Sequence, residues 1–193
     1  MEKTTLYLVR HGETVDNVKQ LLQGISQGQL TELGRSQAAD LRDSMAKGLR
    51  PQPQIILTSD LRRAKETAAI INERLKLSII ETPLLRERDW GELTLHPVSE
   101  AKAMKSFPPS VESMKEMKKR AHEFICYVEK NYRGLTVLAV SHGLFIRCVQ
   151  AEIIGVDTHQ TPRVQNCELR KFELCEHTLE ATSHEGEDIA SAD

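Results

Sequence analysis

At 193 residues, 39% of them apolar and 28% charged, the chain is long enough for one domain with a sizeable core. A formal charge of −2 excludes a global basic field for nucleic acid, and no apolar stretch reaches membrane-spanning length. The four cysteines, Cys126, Cys148, Cys167 and Cys175, show neither metal-ligand nor CxxC spacing, so they read as reduced thiols of a cytoplasmic protein, with no metal site.

The first four residues lead straight into an apolar run, which leaves no room for a signal peptide. Residues 5–9, with Leu6, Tyr7, Leu8 and Val9, are too few for a helix and predict a strand buried on both faces. The strand ends on Arg10, His11 and Gly12. Gly12 is expected to let the backbone approach a ligand with no Cβ in the way. Residues 13–29, with Gly24 and Gly28 and little periodicity, predict a loop over the strand ends.

Thr31 is an N-cap for a helix to about Lys47, with Leu33, Ala38, Leu41 and Met45 on one face. Gly48 ends it, and Pro51 and Pro53 keep the connection out of helix. Residues 54–58, built on Ile55, Ile56 and Leu57, predict a second strand. Ser59 then caps a helix to about Leu75, with Leu61, Ala64, Ala68, Ile71 and Leu75 at helical spacing.

Residues 78–81 predict a short third strand, 82–95 a loop, and 98–106 a weak helix that Pro108 and Pro109 stop. Ser110 is the expected cap of a long helix to about Tyr132. Residues 135–140 form the clearest buried strand, followed by Ser141, His142 and Gly143. The next helix runs to Ile154 and stops at Gly155, and residues 166–174 predict a last, partly exposed strand. From Glu176 on there are six acidic residues and no Lys or Arg, the pattern of a solvated tail.

Strands alternating with helices predict an α/β protein: a three-layer α/β/α sandwich around a mostly parallel sheet. The division expected is one catalytic domain over 1–175, with a short cap at about 92–111, and an acidic tail over 176–193. In such a sheet ligands sit at the carboxyl ends of the strands. Three junctions point at that edge. One supplies Arg10 and His11, the second Ser59 and the helix bearing Arg62 and Arg63, the third His142. Arginine offers phosphate a planar fork of donors, and imidazole can serve as nucleophile or charged donor. Two arginines and two histidines at one edge suit a tetrahedral dianion.

Leu8-Val9-Arg10-His11-Gly12-Glu13-Thr14, with Asn17 after it, resembles the opening of the histidine phosphatase superfamily, whose fold is phosphoglycerate mutase-like. The likeness continues in Leu30-Thr31 with Gly34, Gln37 and Ala38. It recurs in Ser59, Leu61, Arg63, Ala64, Thr67 and Ala68, in Leu85-Arg86-Glu87 with Gly91, and in Ser141-His142-Gly143. It spans roughly residues 5–170 in the family's order.

The resemblance implies that His11 is the nucleophile and carries a transient phosphohistidine. Arg10, Arg63 and His142 would hold the phosphoryl oxygens, and Asn17 would add a neutral donor. Gly24 and Gly143 join Arg10, Asn17, Arg63 and His142 as substrate-binding positions. Glu87 would protonate the leaving oxygen and then take a proton from water. Arg63, not Arg62, falls in the pocket. His142 precedes Gly143 rather than Asp, as in the mutase and small-phosphatase branch. The partners implied are a small phosphorylated substrate and inorganic phosphate as product, with no metal, cofactor, nucleic acid or membrane.

Three stretches depart from the family pattern. Residues 23–29 lack the aromatic, acidic and proline residues common in that loop. Thr94-Leu95 replace the usual Glu-Gly, which changes the support expected behind Glu87. Only twenty residues, 92–111, separate Gly91 from Glu112-Ser113, which resembles the opening of the next family helix.

Met104, Met114 and Met117 read as core filling around this cap. His96, His122, His159, His177 and His184 read as surface or capping residues. The reading is a cytoplasmic, metal-independent phosphomonoester hydrolase. Behind it stand a phosphoglycerate mutase, a phosphoprotein (phosphohistidine) phosphatase and an inactive phosphate-binding module. A mutase needs a closed basic cap, for which this segment offers only Lys102 and Lys105.

Overall fold

The first strand, β1 (Thr4–Arg10), is buried along almost its whole length, as its unbroken apolar run requires. In the computed structural model, residues 3–48 and 52–174 are described. Beside β1 lie β4 (Thr136–Ser141), β2 (Ile55–Thr58), the short β3 (Ile79–Glu81) and β5 (Leu169–Leu174), in the order β3-β2-β4-β1-β5. All neighbouring pairs are parallel except β1 with β5. β3 and β5 are the two edges, and Ile79 and Ile80 of β3 are exposed.

Alternation along β1 sorts its side chains into two cores. Tyr7 and Val9 face α2 (Glu32–Gly48) and α3 (Arg62–Leu75), packing with Met45, Ala64, Ala68 and Ile71. Leu6 and Leu8 face the other way, toward α5 (Met114–Asn131) and α6 (Gly143–Ile154), through Phe124, Val128, Phe145 and Val149. Helices on both faces of a mostly parallel sheet make the expected three-layer sandwich.

Several boundaries differ from expectation. Residues 13–29 contain a one-turn helix, α1 (Val15–Val18), closed by a reciprocal capping box between Thr14 and Asn17. Ser59 does not cap α3. That position belongs to Leu61, and Ser59 Oγ accepts from Leu61 N–H while facing His142. Ser113, not Ser110, caps α5, because Glu116 stands three residues on and returns a bond to the Ser113 N–H. Leu33 is exposed on α2 rather than part of its buried face. The weak helix, α4, covers only Val98–Ala103.

Residues 92–111 fold over a small apolar cluster of Leu22, Leu93, Ala101 and Val111, with Trp90 and Val98 against it. Met117 is buried in the main core and Met114 packs on that core, whereas Met104 is exposed. Pro51, Cys175, His177, His184 and the acidic stretch 176–193 lie outside the described residues. Among the described residues, Cys126, Cys148 and Cys167 are free thiols, and no helix is long and apolar enough to cross a membrane.

Candidate active site

Register places the site. Arg10 pairs with Ser141 across β1 and β4, and Thr58 pairs with Val140 across β2 and β4, so three strands end level. The next residues continue the ladder: His11 N–H donates to the Ser141 carbonyl and Ser59 N–H to the Val140 carbonyl, both at 3.0 Å. His11, Ser59 and His142 therefore stand side by side at the carboxyl edge. The two imidazoles lie 5.2 Å apart between ring centroids, tilted by 58°.

His11 is buried, and its Nδ1 lies 2.7 Å from the Gly12 carbonyl oxygen. A carbonyl only accepts, so Nδ1 carries the proton and Nε2 keeps its lone pair. Asn166 Nδ2 donates to the His11 carbonyl at 2.9 Å and fixes the backbone behind the ring. His142 is fully buried, with Nε2 2.9 Å from Ser59 Oγ and Nδ1 without a partner. Since Leu61 N–H donates to the Ser59 oxygen, the Ser59 hydroxyl proton is free to go to His142 Nε2. A hydroxyl proton donated to Nε2 places the ring proton on Nδ1, the nitrogen without a partner.

Both arginines are anchored by carbonyls. Arg63 is fully buried, and its Nη2 donates to the Gly24 carbonyl at 2.8 Å while Nη1 donates to the Ser26 carbonyl. Arg10 Nη1 donates to the Val164 carbonyl at 2.8 Å. The Nε atoms of Arg10 and Arg63 are both buried without a partner.

Electrostatics follow from this burial. The His11 imidazole is held well below its ordinary pKa by burial first, then by Arg63 and Arg10, against the Gly12 bond that raises it. His142 is held well below its ordinary value by burial, Arg63, His11 and Arg10, with a further contribution from Arg120. Both rings are neutral at neutral pH. Burial lowers the Arg63 pKa to about 10, with Glu87 opposing, so the guanidinium stays charged.

Glu87 follows a short 3-10 turn over Pro83–Leu85. Its Oε1 accepts from the Arg88 N–H at 2.9 Å and its Oε2 from the Leu144 N–H at 3.2 Å, at the start of α6. The neighbouring cations turn elsewhere. Arg86 forms a two-point pair with Asp60, and Arg88 lies against the rings of both Trp90 and Phe107.

Glu87, Arg10, Asn17 and Gly143 line one cleft of about 730 Å³, together with Lys102, Arg147 and Arg163. Gly24 reaches the site through its carbonyl on Arg63, and Arg62 is exposed, as expected. Gly12 serves a different purpose from the one expected. A Cβ there would lie 2.4 Å from the Gly34 carbonyl oxygen, so its missing side chain admits the start of α2 rather than a ligand.

The contact of Ser59 with His142 and the place of Arg120 escape a reading of the sequence alone. Ser59 looks like a helix cap until β2 and β4 are set side by side. Arg120 looks like one of several surface cations on α5, yet it falls between Met117 and Phe124 on the buried stripe of that helix. A cation on an apolar stripe was the available signal.

Comparison with known proteins agrees with this geometry. The family model of the histidine phosphatase superfamily, branch 1, matches residues 6–185. The chain is 36% identical over 178 residues to the phosphatase PhoE of Bacillus subtilis, itself described as uncharacterized, covering 90% of each. It is 33% identical over 187 residues to a probable phosphoglycerate mutase, GpmB, of Yersinia pestis, covering 89% of this chain and 85% of that one. The solved structure of Bacillus stearothermophilus YhfR superposes with a TM-score of 0.81 at 28% identity, over 90% of this chain and 92% of that one. The chain thus belongs to branch 1 of the histidine phosphatase superfamily, enzymes of phosphoryl transfer or hydrolysis through a histidine.

Proposed function

We propose that the protein is a metal-independent hydrolase of small phosphorylated metabolites that works through a phosphohistidine on His11. One observation carries the reading. Three buried nitrogens, Arg10 Nε, Arg63 Nε and His142 Nδ1, have no partner, and the His142 ring stands 5.2 Å from that of His11, whose Nδ1 is committed to the Gly12 carbonyl. Buried donors without partners are costly, and a bound oxyanion would satisfy all three.

In the first step His11 Nε2 forms a bond to phosphorus as the ester P–O bond breaks. Glu87, protonated, gives its proton to the departing oxygen. Arg10, Arg63 and His142 neutralise the charge on the phosphoryl oxygens, and Asn17 adds a donor from α1. In the second step water attacks phosphorus, Glu87 takes its proton, the N–P bond breaks and inorganic phosphate leaves. Residues 92–111 act as a short cap over the cleft, within a catalytic domain that ends near residue 175.

Transfer of the phosphoryl group to a sugar acid, as in a mutase, is the second reading. Lys102, Arg147 and Arg163 on the cleft wall favour it, since they suit a substrate with a further acidic group. A turnover screen across phosphorylated metabolites, with and without a chelator, tests both. Phosphate release that survives the chelator supports the hydrolase. Isomerised phosphoglycerate without phosphate release selects the mutase, and no turnover of any phosphomonoester contradicts both.

A further inference from the structure

We infer that Arg120, braced by Glu112, is the positioning residue for Glu87 and takes over the support that Thr94-Leu95 do not provide. The inference rests on the reading of Glu87 as the leaving-group acid. The Arg120 guanidinium comes from the middle of α5 and donates to three carbonyls of one loop. Nη1 reaches the Leu84 and Arg86 oxygens at 3.1 and 2.6 Å, and Nη2 the Glu87 oxygen at 3.3 Å. Turning successive carbonyls toward one planar cation fixes the path of the backbone through Glu87.

Glu112 holds that cation in place. Its carboxylate accepts from Arg120 Nε at 3.1 Å and from Nη2 at 2.9 and 2.8 Å, with both side chains less than one-fifth exposed. It also accepts from the Asp89 N–H at 3.0 Å, and its carbonyl accepts from Arg88 Nε at 2.7 Å. The loop is therefore gripped on both sides of Glu87 by one ion pair.

The same side chain reaches the other end of the carboxylate. The Arg120 guanidinium carbon lies 4.6 Å from the Phe145 ring centroid, in the first turn of α6. The adjacent Leu144 N–H holds Glu87 Oε2. Arg120 thus sets the separation between the loop that carries the acid and the helix end that receives it. It lines a separate cleft of about 460 Å³ with Glu87 and Glu112 and is absent from the one that holds Arg10 and Gly143, so its reach to the phosphoryl site runs through Glu87.

The experiment compares Arg120→Lys, Glu112→Gln, Glu87→Gln and the double variant Arg120→Lys/Glu87→Gln. Phosphoenzyme formation is followed in single turnovers on an alkyl phosphate and on an aryl phosphate with a good leaving group. General-acid catalysis contributes about 10²–10⁴-fold, so Glu87→Gln should lose that much on the alkyl ester and far less on the aryl ester. Arg120→Lys and Glu112→Gln should show the same leaving-group bias at about tenfold, and Arg120→Lys should add little once Glu87 is Gln. A bias for Glu87→Gln with equal losses on both esters for Arg120→Lys and Glu112→Gln overturns the inference and leaves the acid role standing. So do additive losses in the double variant. No bias for Glu87→Gln itself removes the acid role and the inference together.

Discussion

Ser59 Oγ stands 2.9 Å from His142 Nε2, and this contact decides which nitrogen of the second histidine faces the site. With the hydroxyl donated to Nε2, Nδ1 carries the ring proton and is the donor proposed for the phosphoryl group. Ser59→Ala should free the ring to take either tautomer and leave a buried nitrogen unpaired. Such a loss costs about 1–3 kcal/mol, on the order of tenfold or more in rate. The measurement is aryl phosphate turnover together with vanadate affinity. Both should weaken in parallel, because the same donor serves substrate and oxyanion.

Arg63 separates charge from geometry. Its two terminal nitrogens each give a hydrogen to the Gly24 and Ser26 carbonyls, which fixes the plane of the guanidinium and leaves Nε, buried without a partner, as the donor proposed for the phosphoryl group. Lysine brings the charge without the fork. Arg63→Lys should therefore behave nearly as badly as Arg63→Ala, with kcat down about 10²–10³-fold for a lost oxyanion contact. Near-normal kcat for Arg63→Lys would show that charge alone suffices.

Gly12→Ala tests packing rather than chemistry. The new Cβ would fall 2.4 Å from the Gly34 carbonyl oxygen, and backbone on both sides leaves no flexible end to yield. The variant should lose about 1–3 kcal/mol of stability, visible as a lower Tm. Gly48→Ala, where a Cβ meets nothing within 4 Å, is the matched control and should keep its Tm.

The depressed histidines predict an acid-sensitive fold. His11 and His142 are buried neutral, with folded values below the ordinary 6.5. Unfolded, they bind protons as pH falls through about 6.5, while the folded protein does not. Stability should be complete above that pH and decline as pH drops toward the folded values. Denaturant titrations from pH 8 to 5 should show this decline for the wild type and a shallower one for His11→Asn.

Much of the site was legible because its parts are local. Residues 5–9 and 135–140 are unbroken apolar runs, and each hands over to a histidine and a glycine. A sheet edge brings such ends together in any doubly wound topology. What stayed hidden depends on partners distant in sequence. Ser59 passes for a helix cap until His142 is beside it, and Arg120 gains its role only when the loop of Glu87 is laid across α5. The start of α5 was legible in the resemblance of Glu112-Ser113 to the opening of the family helix, while the cap expected at Ser110 was misplaced: Ser113 followed three residues later by Glu116 is a complete capping box, which Ser110 lacks.

The most direct test is to quench single turnovers and locate the phosphoryl group by peptide mass spectrometry. The protein should carry a transient, acid-labile and alkali-stable phosphoryl group on His11. It should form and decay at rates that account for turnover, accumulate when Glu87→Gln slows dephosphorylation, and be absent from His11→Ala. A phosphoryl group on another residue, or near-normal turnover by His11→Ala, would contradict the account.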